Sequence, residues 1–338
     1  MQGVRVGFIG AGGNTRLRHL PGFGQIDGVE LTAVANRSLE SSQRIANDFG
    51  IDRVCADWRE IVSAPDIDAV CIGTWPNTHA EMTCAALAAG KHVLVEARMA
   101  KTLAEAKTML TAAAAQPELV AQIVPSPITL EADAIIRDLI EADELGELMR
   151  IRSDHATGAT LDPNALLSWR MDERVSGINT MALGICYEPM LRWLPGDASV
   201  AAAEAIVVTP SRRDQNGLAH QIKIPEKLTV AGRWGNADLE MKQSSVEPGP
   251  GCCVYEIVGS KASLRYDVNA RSLVLTTTSG GNVQPLKLPK LTKGGWQVEE
   301  QFIASIRLGA AVKLTDFKPT TPTAMAEKIS QQPILETG

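Results

Sequence analysis

From residue 3 to about 124, short apolar runs alternate with longer stretches in which apolar residues recur every three or four positions. The first kind of period belongs to buried strands and the second to amphipathic helices. The pattern predicts strands at Val4 to Ile9, Leu31 to Ala35, Ala69 to Ile72, His92 to Val95 and Leu119 to Ile123. Alanine-rich helices fall between them, at Ser41 to Phe49, His79 to Ala89 and Leu103 to Ala115, with Gly50 and Gly90 at helix-stop positions. Strand and helix in strict alternation imply a parallel sheet covered on both faces.

Pro125-Ser126-Pro127 breaks this alternation. After a helix at about Glu131 to Ala142, longer strands with period-2 alternation follow: Leu148 to Ser153, Ala202 to Val208, Leu228 to Arg233, Leu239 to Gln243, Cys253 to Gly259, Ser263 to Asp267 and Leu273 to Thr278. Turns at Gly235-Asn236 and Gly259-Ser260 favour an antiparallel or mixed sheet. A helix at roughly Asn179 to Leu194 interrupts it, and a last amphipathic helix, Val298 to Leu308, is placed to return to the first domain.

The first strand runs into Gly10-Ala11-Gly12-Gly13-Asn14-Thr15. Gly10 permits a tight turn, Gly12 lets the backbone approach a pyrophosphate, and the helix starting near Asn14 favours the anion at its N-terminus. Thr15 stands where a third glycine is usual; it is small, and its hydroxyl is expected to reach a phosphate. The expected fold is therefore an α/β Rossmann domain with a parallel sheet (1–124), followed by an α+β substrate and oligomerisation domain with a large open mixed or antiparallel sheet (125–310). A tail (311–338) follows, able to pack back on the chain. A chain of 338 residues exceeds the ~250–300 at which single cores stop growing.

At the end of the second strand, roughly 20 residues past the turn, NAD-binding domains place an acidic residue on the ribose hydroxyls. This chain carries Asn36-Arg37-Ser38 there. A carboxylate would repel a 2′-phosphate, whereas an amide, a planar cation and a hydroxyl suit one, so NADP is expected with NAD as the alternative. Arg37 stacked on the adenine or left in solvent is the competing reading.

Composition removes several classes of function. Hydrophobic residues at 45%, charged residues at 21% and a net charge of -6 describe a globular protein with no electrostatic footprint for nucleic acid or an anionic membrane. No apolar run approaches the ~18 residues of a membrane span, and the start runs straight into a strand, so a cytoplasmic protein is expected. Six cysteines and five histidines show no metal-ligand spacing, and no metal is expected.

Gly73-Thr74-Trp75-Pro76-Asn77-Thr78-His79, followed by Ala89-Gly90-Lys91-His92-Val93-Leu94-Val95-Glu96, resembles the Gfo/Idh/MocA oxidoreductases, which include glucose-fructose oxidoreductase and inositol dehydrogenases. The resemblance implies a nicotinamide cofactor, with Thr74, Trp75, Pro76, Asn77, His79 and Glu96 as its neighbours. The family continues Glu-Lys-Pro, its lysine helping to move the hydroxyl proton; here the order is Glu96-Ala97-Arg98. The family's second signature, an Asp and a His four residues later on a helix before an Arg-Trp-Leu stretch, falls on Ala182 and Cys186 ahead of Arg192-Trp193-Leu194.

With those partners replaced, a dehydrogenase must find its acid or base elsewhere. Helical spacing puts Asn179, Ala182, Leu183, Cys186 and Tyr187 on one face, making Tyr187 the first candidate and Cys186 the second. His155 is the third, although Asp154 beside it on a strand faces the other way. Arg98 and Arg170, the latter beside Trp169, are expected to bind an anionic group, against the alternatives of Arg98 paired with a nearby acid and Arg170 with Asp172 or Glu173. The leading expectation is an NADP(H)-dependent oxidoreductase of a small hydroxyl or carbonyl compound, forming a homodimer or homotetramer, and an exposed sheet face of alternating apolar residues would suit such pairing. A lyase, isomerase or hydrolase using a tightly bound nicotinamide for transient oxidation, and a nucleotide-binding sensor without turnover, are the alternatives.

Overall fold

The computed structural model describes residues 3–178, 182–290, 295–309 and 335–336, which divide into two units. The first comprises 3–125 and 297–309; the second holds the remaining described residues.

Six parallel strands form the sheet of the first unit: β1 (Val4–Ile9), β2 (Val29–Ala35), β3 (Arg53–Val54), β4 (Ala69–Ile72), β5 (His92–Val95) and β6 (Ala121–Ile123). Their order is β3-β2-β1-β4-β5-β6, so the direction of winding reverses between β1 and β4, where dinucleotide-binding sheets open their crevice. Every residue of β4 is buried, as a central strand covered by helices on both faces requires. Two helix starts carry reciprocal capping, Asp57 with Glu60 and Thr102 with Glu105. The first of these opens the helix Trp58–Ser63, which the apolar periodicity alone did not reveal. The helix Val298–Leu308 belongs to this unit, and its Phe302 ring meets Phe23 edge-on at 6.1 Å, with Phe8 beyond at 5.9 Å from Phe23.

The second unit is built on a mixed sheet of nine strands among the described residues. These are β7 (Leu148–Ala156), β8 (Ala198–Val207), β11 (Lys227–Trp234), β12 (Ala237–Ser244), β13 (Cys252–Gly259), β14 (Ala262–Asp267), β15 (Ser272–Thr277), β16 (Val283–Leu286) and β17 (Leu335–Glu336), with β9 (Ser211–Arg213) and β10 (Ala219–Gln221) forming a separate hairpin. All pairings in the large sheet are antiparallel except β7 with β12 and β17 with β8.

One face of that sheet supplies the core. Leu239 and Met241 of β12, with Tyr255 and Ile257 of β13, pack with Tyr187, Met190 and Trp193 of the helix Leu183–Trp193. The opposite face carries Arg150, Arg152 and Asp154 of β7, Glu240 and Lys242 of β12, and Glu256 of β13, linked by ion pairs such as Arg152 to Glu240 at 3.3 Å. The apolar alternation that would suit subunit pairing is thus interleaved with charge.

The Arg-Trp-Leu stretch has a structural explanation. Arg192 Nε donates to Asp133 at 2.8 Å and its guanidinium pairs with Glu188, while Trp193 Nε1 donates to Asp133 at 2.7 Å. Glu188 in turn accepts the backbone N–H of Ser126 at 2.5 Å. These contacts anchor the segment that enters the second unit onto its main helix.

A second ionic anchor is almost completely buried. Arg212 donates to Glu226 at 3.2 Å and to the backbone oxygens of Thr160 and Asp162, both at 2.7 Å, and Glu226 accepts the N–H groups of Val208 and Thr209. Removing one partner strands the other charge in the interior. Glu226→Ala should therefore cost about 3–5 kcal/mol, read as a large fall in unfolding midpoint. Exchanging both residues for apolar ones should cost clearly less.

Candidate active site

The glycine turn lies at the end of β1. Gly10 has φ of +79°, and a Cβ there would come within 2.4 Å of the Thr74 side chain. Gly12 and Gly13 are different: a Cβ on Gly12 would meet only Gly73 O at 3.5 Å, and one on Gly13 nothing within 4 Å. Protein packing does not demand glycine at either position, whereas close approach of a ligand does. The first backward bond of the helix is Arg16 N to Gly12 O at 3.0 Å, so the N–H groups of Gly13, Asn14 and Thr15 precede the intrahelical ladder. This cradle fits a pyrophosphate.

Thr15 does not serve as expected. It is buried, its hydroxyl donating to Gly10 O at 3.4 Å and turned toward Gly73, where a Cβ would lie 2.1 Å from its oxygen. The missing third glycine of the turn is therefore compensated by a glycine at the end of the neighbouring strand β4.

Thr74, Trp75, Pro76 and Asn77 lead into the helix Pro76–Ala88, with Trp75 and Asn77 exposed, Thr74 half-buried and Pro76 buried at the first helical position. His79 is buried, with ring nitrogens facing Arg98 O at 2.8 Å and Thr74 O at 3.1 Å. Burial pushes its pKa down, favouring the neutral ring. It fastens the Glu96-Ala97-Arg98 loop to the Thr74 loop instead of presenting itself to a ligand. Ala97 is exposed and Arg98 half-buried.

Asn36 turns inward. Its Oδ1 accepts the Ala11 N–H at 2.6 Å and its Nδ2 donates to Ser41 Oγ at 3.0 Å, so it braces the glycine turn. That occupies the amide expected to hold a phosphate. Ser38 caps the helix Leu39–Phe49 by accepting the Ser41 N–H and keeps its own proton to donate. Arg37 is exposed, its guanidinium 4.9 Å from the Trp75 ring centroid. This stacked pair beside the turn combines a cation with an aromatic face.

One group of residues escaped the sequence reading. The segment after Asn14 opens with a π-helical turn, Thr15–His19, which widens the helix where functional residues often gather. His19 is fully buried, with Nδ1 2.5 Å from Glu299 Oε1 and Nε2 2.9 Å from Glu96 Oε1, the oxygen that also accepts from the Asn14 amide. Burial opposes the charge of His19, yet the hydrogen bonds to Glu299 and Glu96 prevail and push its pKa up to about 9. Burial likewise opposes ionisation of Glu96, and the hydrogen bond and charge of His19 together with the Asn14 hydrogen bond outweigh it, leaving the carboxyl below its ordinary value. Ion pairing with residues 77 and 280 positions away leaves no local spacing to read.

In the second unit, a cavity of about 250 Å³ is lined by His155, Thr157, Met171, Ala182, Ile185 and Gln243 among others. His155, near the end of β7, has no protein partner for its buried Nδ1 among the described residues, and burial lowers its pKa. Asp154 faces the other side of the sheet toward Arg152. Ala182, standing where the family signature places Asp, reaches the cavity.

Tyr187 and Cys186 do not. Both are completely buried in the core, Tyr187 with its ring 5.5 Å from Trp234 and Cys186 with its free thiol beside that of Cys253. The neighbouring Cys253 thiol, with burial, raises the Cys186 thiol well above its ordinary value. A group without access to solvent or cavity is no proton shuttle, and neither side chain is retained as a catalytic candidate. Asn179 lies outside the described residues.

Arg170 is exposed with its guanidinium 4.4 Å from the Trp169 ring centroid. Its expected competitors are otherwise engaged: Asp172 pairs with Arg174 at 2.6 Å and Glu173 with Lys223 at 2.7 Å. Among the described residues no group of three or more acidic, His or Cys side chains is arranged to hold a metal ion, and no helix is long and apolar enough to cross a membrane.

Residues 4–123 match the Gfo/Idh/MocA family model, an oxidoreductase family with an NAD-binding Rossmann fold. A levoglucosan dehydrogenase of Pseudarthrobacter phenanthrenivorans is 30% identical over 185 residues, 54% of this chain and 47% of that protein. The chain thus matches about half the length of that relative. An inositol 2-dehydrogenase of Azotobacter vinelandii is 27% identical over 242 residues, 70% of this chain and 67% of that one. Among solved structures, levoglucosan dehydrogenase in complex with NADH and L-sorbose superposes with a TM-score of 0.84 at 23% identity, covering 98% of this chain and 96% of that chain. An oxidoreductase domain protein from Kribbella flavida reaches 0.87 at 20% identity, with the same coverage. At these identities the structural likeness is one of fold.

The turn geometry makes a direct prediction. Gly73→Ala places a methyl 2.1 Å from Thr15 Oγ1 and 2.6 Å from Gly10 O, and should destabilise the protein by roughly 1–3 kcal/mol in denaturant unfolding. Adding Thr15→Ala should recover part of that loss, because one of the two clashes goes with the hydroxyl.

Proposed function

We propose that this chain, which belongs to the Gfo/Idh/MocA oxidoreductase family, is a nicotinamide-dependent dehydrogenase or reductase of a small polyhydroxylated compound, a sugar or polyol. The observation that carries this reading is the pair Gly12 and Gly13, glycines without a packing need at the start of a helix. Names of relatives that act on levoglucosan and inositol point to the substrate class. A nicotinamide, when bound, supplies a hydride acceptor or donor for the substrate carbon.

The residues of this chain have distinct tasks in that scheme. The N–H groups of Gly13 and Asn14 bind the pyrophosphate, and Glu96, held by Asn14 and His19, faces the same site. Thr74, Trp75 and Asn77 border it. His155 is the acid–base group: as alcohol is oxidised, the carbon gives up hydride and the hydroxyl proton passes to neutral Nδ1, the reverse holding for carbonyl reduction. Ala97 has replaced the lysine usual beside Glu96, so no amine competes for this role. Arg98 and Arg170 supply positive charge for substrates that bear an anionic group.

Arg37 favours NADP over NAD. Its stacking on Trp75 and the absence of an acidic residue at the second-strand end support this reading, with the Ser38 hydroxyl as a further donor to a 2′-phosphate.

Turnover of sugars and polyols, followed by reduced-nicotinamide absorbance, tests the whole reading; substrate conversion without net absorbance change would instead favour transient oxidation. His155→Asn should lower kcat by about 10²- to 10⁴-fold with nucleotide affinity unchanged. Because burial keeps the His155 pKa below its ordinary ~6.5, the wild-type oxidation rate should rise with pH only in the acid range and level off before neutrality. An unaltered rate in His155→Asn rules out its assigned role. Arg37→Ala should weaken NADPH binding about ten- to a hundredfold and NADH binding far less, in fluorescence titrations with both nucleotides.

A further inference from the structure

We infer that His19 and Glu299 are positioning residues for nucleotide binding: Glu299 fixes the His19 ring from behind, and His19 holds the Glu96 carboxylate in one orientation toward the dinucleotide site. This inference rests on the nucleotide-binding reading above and extends it to a residue of the helix Val298–Leu308, far from the glycine turn in sequence.

The geometry supplies the reasoning. An ionised carboxylate only accepts hydrogen bonds, and His19 has one at each ring nitrogen, at 2.5 and 2.9 Å. With its pKa pushed up to about 9, the ring is an imidazolium at neutral pH and donates from both nitrogens. Two charged contacts fix the ring plane, and the ring plane fixes the Glu96 oxygen at which the Asn14 amide also meets it. Asn14 belongs to the first turn of the pyrophosphate-binding helix. Orientation thus passes from Glu299 through His19 to Glu96 and Asn14, from an interior helix to the nucleotide cradle.

Glu299 has a prepared seat. A Cβ on Gly22 would stand 2.8 Å from its carboxyl carbon and from Oε2, so only glycine leaves room for the carboxylate. Burying a carboxylate in this way is costly unless a charged partner meets it, and His19 is that partner.

Among the described residues, titratable groups near the ring come from four elements. Glu96 follows β5, Glu299 lies on the helix Val298–Leu308, Cys71 lies on β4, and His79, beyond Glu96, lies on the helix Pro76–Ala88. The Cys71 thiol is raised well above its ordinary value by burial and by both carboxylates, and His79 is pushed toward neutrality, so neither adds charge near neutral pH. The net charge of the cluster changes when His19 loses its proton.

A histidine whose pKa rises on folding from 6.5 to about 9 contributes stability that is complete below 6.5 and is lost as pH rises through about 9. Nucleotide affinity should share that alkaline limb, since Glu96 loses its charged anchor over the same range.

The experiment measures NADPH and NADH dissociation constants by fluorescence from neutral to alkaline pH for the wild type, Glu299→Gln and His19→Gln. The His19 ring titration, followed by NMR in the nucleotide-free protein, accompanies them. Glu299→Gln keeps the shape and removes a charge, and should shift both the ring titration and the affinity limb down by roughly one pH unit. His19→Gln should raise the dissociation constant about tenfold at neutral pH and abolish the limb. Thermal unfolding separates a packing role: a lowered midpoint in Glu299→Gln with the affinity limb unmoved overturns the inference, as does wild-type affinity in His19→Gln. If the wild-type protein binds neither nucleotide at any pH, the functional reading fails and takes this inference with it. Binding with an unmoved limb removes the inference alone.

Discussion

The first unit depends on how closely two backbones pass at the ends of β1 and β4. Gly10 lies against Thr74, and Gly73 against Thr15 and Gly10, at separations that leave no space for a Cβ on either glycine. Because Gly10 yields to Thr74, the loop that opens the helix Pro76–Ala88 lies directly against the glycine turn. Because Gly73 yields to Thr15, the helix after the turn can approach the sheet without a third glycine of its own. The hydrogen bond from Gly73 N to Ile9 O, at 2.8 Å, continues the parallel pairing up to this point. Strand order places the winding reversal here, so this close backbone approach and the opening of the sheet coincide.

Each unit also buries an ionic cluster, and in both it fastens segments distant in sequence. In the second unit Arg212 and Glu226 gather the backbone of residues 160–165 and the N–H groups of Val208 and Thr209 around one guanidinium–carboxylate pair. In the first, His19 sits between Glu96 and Glu299. The two differ in what pH can do to them. A guanidinium keeps its proton throughout the accessible range. An imidazolium does not, and the His19 cluster is an anchor that titrates.

The fold was legible in the chain to the extent that its elements announce themselves by period. Alternation in β12 and β13 and continuous burial in β4 are both written in the order of apolar residues. The helix Trp58–Ser63 was legible only through Asp57 and Glu60, a capping signal that periodicity overlooks. The site was less legible, for two physical reasons. Helical spacing shows which residues share a face but not which face turns inward: Ala182 and Ile185 meet the cavity, whereas Cys186 and Tyr187, one step round, enter the core. The His19 cluster is assembled from three distant segments after a π-helical turn shifts the phase of the helix, and no local pattern encodes that.

At the positions where the sequence resemblance implies Lys, Asp and His, in the loop after β5 and at the helix Leu183–Trp193, this chain carries Ala97, Ala182 and Cys186. Ala182 leaves the cavity wall apolar where a carboxylate would stand, and Ala97 leaves an exposed methyl in place of an amine. On the proposed reading, proton transfer falls to a strand residue. His155 reaches the cavity because the pleat of β7 sends it to the same side as Ser153 and opposite to Asp154. The same pleat denies it the orienting carboxylate that often accompanies a catalytic imidazole. Unassisted and half-buried, such an imidazole has its pKa lowered, and a lowered pKa is what keeps it neutral and ready to accept a proton at neutral pH. On that reading, one change of position, from helix to strand, accounts for both the missing signature and the base that replaces it.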